Sequence, residues 1–109
     1  MSKDEAAIEA EIQAKGLNAP RLNPQMIDET IVSEQYHVFP STTMTICALS
    51  LRNGFIVTGE SAAASPANFD PAIGRKIARE NARNKIWALE GYLLRSKLAA
   101  NEIPADRAG

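Results

Sequence analysis

Arg75, Arg79 and Arg83 stand four residues apart in a stretch that carries no proline between Pro71 and Pro104. On an α-helix this spacing gathers three guanidinium groups on one strip. Planar cationic forks in a row suit either a bound phosphate or a set of carboxylates. The strip adjoins the apolar positions Ala78, Ala82, Ile86, Leu89 and Leu93, so it turns toward a groove rather than the far solvent. Local energetics oppose it. Like charges at this spacing cost a helix about 0.2–0.5 kcal/mol per pair, and the N-terminal half of a helix favours anions. Compensation must come from carboxylates, such as Glu60, Glu90 or a subunit neighbour's glutamate, or from a ligand phosphate.

Arg52 and Phe55 flank Asn53-Gly54 and could face each other across a turn. A ring in that place either packs in the core or stacks on a base. Asn68, two residues before Asp70, either closes its own turn or reads a base edge. Trp87 and Tyr92 lie in the long helical stretch, where core or subunit packing is the default. The inventory for catalysis is thin, with one histidine and one cysteine. Cys47 sits inside an apolar run and reads as a structural thiol, while His37 reads as a surface residue of an edge strand. No glycine-rich phosphate loop and no acidic metal-loop spacing is present. The expectation is therefore a binding protein, not an enzyme, with no catalytic residues, metal or cofactor.

The elements that must position these residues follow from the chain's patterning. At 109 residues there is room for one domain, and 45% apolar with 23% charged residues is globular rather than disordered. A net charge of −1 disfavours a nonspecific duplex binder. The charged start MSKDEAAIEAEIQAK is no secretory signal, and no run approaches the ~18 apolar residues of a membrane span, so host cytoplasm is expected. Ser2 and Glu5 spell a capping box before a short, weakly apolar helix that ends near Gly16. Asn23-Pro24 begins a second helix of two turns. Residues 42–51 and 55–60 are strand-like and meet at Asn53-Gly54, the strongest short-range hairpin signal, in which both turn residues must adopt positive φ. Residues 34–39 add an edge strand. Asp70-Pro71 then caps a helix running to about Leu98.

These elements make an α+β domain, with a small antiparallel sheet, short N-terminal helices and one long C-terminal helix. The expected boundaries are a helical arm over 1–33, the domain over 34–100 and a flexible tail over 101–109. The long helix would measure ~42 Å against a radius of gyration of ~13 Å for a compact chain of this length. It overhangs its own domain unless Gly91 breaks it, which implies a homo-oligomer.

Four segments form an ordered set: Asn53-Gly54-Phe55-Ile56-Val57-Thr58-Gly59-Glu60-Ser61; Pro66-Ala67-Asn68-Phe69-Asp70; Gly74-Arg75-Lys76-Ile77-Ala78-Arg79-Glu80-Asn81-Ala82; and Ile86-Trp87-Ala88-Leu89-Glu90-Gly91-Tyr92-Leu93-Leu94. Over roughly residues 36 to 95 the chain resembles a family of small phage and prophage proteins with this pattern, related to the Thoeris anti-defence sponges. The resemblance implies a dimer or hexamer that binds cyclic ADP-ribose isomers or cyclic oligonucleotides without cleaving them. It implies that Arg79 and Arg83, with Arg75 beside them, meet the phosphates, and that Phe55 and Asn68 contact adenine. Ala63 stands where many relatives carry cysteine, so no thiol acts there. The alternative is a phage-encoded interaction module that inhibits a host protein through its long helix or hairpin edge.

Overall fold

Residues 3–17 and 19–102 are described by the computed structural model. Three α-helices and three strands follow in the order α1 (Lys3–Ala14), α2 (Pro24–Glu29), β1 (Ile31–Val38), β2 (Met44–Leu51), β3 (Ile56–Ala62) and α3 (Pro71–Glu102). The fold is α+β, as its patterning implies. Ser2, half of the expected capping box, and the tail from residue 103 onward lie outside the described residues.

Each short helix starts and stops for a local reason. Asn23 accepts a hydrogen bond from the Met26 amide at 2.8 Å, and Pro24 occupies the first helical position of α2. Gly16, at φ +64°, ends the turn that follows α1. At the head of α3, Asp70 Oδ1 accepts from the Ala72 and Ile73 amides at 2.9 and 3.2 Å.

The three strands form an antiparallel meander in the order β1-β2-β3. Tyr36 lies opposite Cys47, which lies opposite Gly59 on the other side. Alternate residues of β2, namely Thr45, Cys47, Leu49 and Leu51, are buried beneath α3. They meet Ala78, Ala82 and Ile86 of α3, Val57 of β3 and Ile27 of α2 in one core. Each fully buried Leu or Ile there contributes about 1.5–3 kcal/mol.

The hairpin departs from the two-residue turn in an instructive way. The Leu51 amide donates to the Phe55 carbonyl at 2.8 Å and the Gly54 amide to the Leu51 carbonyl at 2.9 Å, so the loop is Arg52-Asn53-Gly54. Gly54 has φ +88°, whereas Asn53 is not among the residues of positive φ. This is a type I turn closed by a left-handed glycine. Asn53 contributes through its side chain, accepting from the Phe55 amide at 2.9 Å. Leu51, not Arg52, is therefore the cross-strand partner of Phe55.

Gly91 does not break α3, which runs unbroken for 32 residues, about 48 Å of helix. The radius of gyration is 17.9 Å and the longest dimension 60 Å, so the overhang is real. Ala78, Ala82 and Ile86 are buried, whereas Leu89 and Leu93, next on the same stripe, are 37% and 45% exposed.

Candidate ligand-binding groove

The arginine strip meets the elements that precede it in the chain. Arg79 Nε donates to Glu34 of β1 at 2.8 Å, and the Tyr36 hydroxyl donates to the other oxygen of the same carboxylate at 3.0 Å. The hydrogen bond from Arg79 holds the Glu34 carboxyl below its usual range, and Glu34 in turn raises the Arg79 guanidinium. Burial pushes the Cys47 thiol beneath them upward, as befits a structural cysteine.

Arg83 is buried, with every guanidinium nitrogen engaged. Nε donates to Asp28 of α2 at 2.7 Å, Nη1 to Glu5 of α1 at 2.9 Å, and Nη2 meets the second Glu5 oxygen at 2.8 Å and the Pro24 carbonyl at 3.2 Å. Glu5 foremost, then Asp28, raises its already high pKa. The carboxylates that offset the strip are Glu34, Asp28 and Glu5, not Glu60 or Glu90. Arg75 is exposed on the first turns of α3.

A hollow of about 240 Å³ is lined by Lys76, Arg79, Glu80 and Arg83. Phe55 stands elsewhere, and the two cavities share no residue. At the tip of the hairpin Phe55 is 53% exposed, so it is not a core ring. It lines a groove of about 520 Å³ between the turn and the overhanging half of α3, shared with Arg52, Leu89, Tyr92, Leu93 and Lys97. That volume lies within the range of small-molecule sites. Tyr92 is 77% exposed. Two open rings beside two cations can stack a planar base and meet an anion, with Glu90 as an acidic residue of the same lining. Sequence reasoning assigns Tyr92 to core or subunit packing by default and misses Lys97, because only the unbroken helix carries them to the hairpin tip. The signal available was that Tyr92 and Leu93 fall beyond the length the sheet can cover.

Asn68 ends a single 3-10 turn over Pro66–Asn68, where its amide donates to Ser65 at 3.0 Å and its side chain is exposed. Among the described residues no three His, Cys, Asp or Glu gather as a metal-binding group, and no helix is long and apolar enough to cross a membrane.

Two of the four segments lock the helix onto the sheet. Gly59 packs directly on the α3 backbone at Ala78 and Ala82, where a Cβ would collide with the Ala82 nitrogen and the Ala78 carbonyl. Asn81 Nδ2 donates to the Glu60 carbonyl at 2.8 Å. The strand segment around Gly59 and the helix segment around Ala78-Asn81-Ala82 are thus two halves of one helix-on-sheet lock.

Neither the curated proteins nor the solved structures contain a match to this chain. A family model does match residues 22–98, from the end of the linker before α2 to the last turns of α3. The chain belongs to the phage protein (N4 Gp49/phage Sf6 gene 66) family.

Proposed function

We propose that this chain is a phage anti-defence protein that binds and sequesters a cyclic nucleotide immune signal, a cyclic ADP-ribose isomer or cyclic oligonucleotide, without cleaving it. The observation that carries the reading is the exposed Phe55 ring in a ligand-sized groove with Tyr92, Arg52 and Lys97. Sequestration needs only binding. Base stacking on Phe55 supplies sequence-tolerant affinity, and the cations supply attraction for phosphate.

Arg79 and Arg83 belong to a separate hollow in a single chain, so a ligand touching both places does so across subunits. The uncovered apolar flank of α3, with Leu89, Tyr92 and Leu93, supports a homo-oligomer, a dimer or hexamer, whose subunit contact completes the site. The protein acts in the host cytoplasm, where such signals are made.

The test is a ligand panel of cyclic ADP-ribose isomers, cyclic dinucleotides and cyclic trinucleotides, read by thermal shift and followed by denaturation to recover the ligand. Stabilisation with intact ligand supports a sponge. Stabilisation with cleaved ligand makes the chain an enzyme.

A further inference from the structure

Helix α1 meets the rest of the molecule chiefly through charge. Arg21 Nη1 and Nη2 donate to the two Glu9 oxygens at 2.7 and 2.9 Å, and Arg83 grips Glu5 with both terminal nitrogens. Apolar packing beneath it is incomplete. Ile8 is 57% exposed, and a hollow of about 370 Å³ lies between Ile8 and Ile12 of α1 and Leu22, Pro24 and Trp87 of the body. The family match covers residues 22–98 and so begins after α1.

The Glu5–Arg83 pair approaches the geometry with which arginine binds a phosphate, one N–H bond of 2.9 Å to one carboxylate oxygen and an ion-pair contact of 2.8 Å to the other. Glu5 occupies that fork, and the adjoining hollow holds Lys76 and Arg79. We infer that α1 is an autoinhibitory arm. Its Glu5 carboxylate stands in for a phosphate on Arg83, and an anionic ligand of the diphosphate class must displace the arm to reach Arg83 and its cationic neighbours. Asp28 stays on Nε and keeps the guanidinium in place when the arm leaves. The inference rests on reading Arg83 as an anion ligand, and concerns how that site opens.

The sole tryptophan reports the arm, because Trp87 lines the hollow beneath α1. Inorganic pyrophosphate is titrated into the full chain while Trp87 emission and acrylamide quenching are followed. In the parent protein pyrophosphate increases quenching of Trp87 as the arm departs. In Glu5→Gln, which weakens the competing charge-assisted pair, pyrophosphate binds at least about tenfold more tightly. Glu9→Gln loosens the arm without touching Arg83, and tightens binding by a smaller factor. This second variant keeps the test decisive should Glu5→Gln fold poorly.

Unchanged or weaker pyrophosphate binding in folded Glu5→Gln and Glu9→Gln overturns the inference. So does binding to the parent protein that leaves Trp87 quenching unaltered, or no binding to any of the three proteins. A cyclic nucleotide arm separates the two readings. If pyrophosphate behaves as described and no cyclic nucleotide binds either the parent or Glu5→Gln, the arm stands and the sponge reading falls.

Discussion

Gly59 of β3 lies so close to Ala82 of α3 that the helix backbone occupies the place of a Cβ on residue 59. This approach brings α3 down onto the sheet at Ala78 and Ala82 and leaves its far half projecting past the hairpin tip, where the groove forms.

Gly59→Ala must therefore lift the helix. The obstruction is backbone on both sides, with no flexible side chain to give way. Overpacking of this kind costs at least about 2 kcal/mol. Urea denaturation measures it, and an unchanged midpoint contradicts the close approach.

The two inner arginines differ sharply in what their loss costs. Arg83 is 3% exposed and holds two carboxylates from two other helices. Arg83→Met removes the partner these carboxylates share and destabilises by about 3 kcal/mol, roughly 12 °C or more in Tm. Arg79 and Glu34 are 36% and 42% exposed in their side chains, so solvent screens the pair and Arg79→Met costs less than about 1 kcal/mol. Thermal melts of both variants test the ranking. A loss of nucleotide binding in an Arg83 variant counts in favour of a site there only after its fold has been verified.

Acid weakens the Glu34–Arg79 contact in a defined direction. Arg79 lowers the folded-state pKa of Glu34, so the contribution is complete above the unfolded value of about 4.3. It is lost as pH falls through the folded value. The stability difference between the parent and Glu34→Gln is at most about 1 kcal/mol at pH 7 and narrows below about pH 4. A difference that widens on acidification contradicts the assignment.

Much of this fold is legible in the sequence because its signals are local. Asn23-Pro24 and Asp70-Pro71 each start a helix, and the stripe from Ala78 to Ile86 is the face that α3 buries. The turn type is harder to read, since Asn-Gly serves two loop lengths. Only the pairing of Leu51 with Phe55 selects the longer one. The partners of the arginines are not legible at all. Glu34, Asp28 and Glu5 lie 45, 55 and 78 residues away in sequence, and no spacing rule links positions so distant. Of the site, Phe55 is readable as a ring beside a turn, whereas Tyr92 and Lys97 join it only through the length of α3.

Phe55 and Tyr92 provide a clean separation of binding from stability. Both rings are more than half exposed, so Phe55→Ala and Tyr92→Ala cost no more than about 1 kcal/mol, against about 3–5 kcal/mol for a core aromatic. Loss of one stacked base weakens ligand binding by about 1–3 kcal/mol, tenfold being about 1.4 kcal/mol. Calorimetric titration with melts of the same samples separates the two effects. A large drop in Tm returns the ring to the core.

The most direct test of the central claim is the melting temperature of the full chain with cyclic ADP-ribose isomers, cyclic dinucleotides and cyclic trinucleotides, each followed by recovery of the ligand. A bound signal at about 100 times its Kd adds about 2.7 kcal/mol, several degrees for a domain of this size, and returns intact. No shift with any of them contradicts sequestration and directs attention to a host protein as the partner.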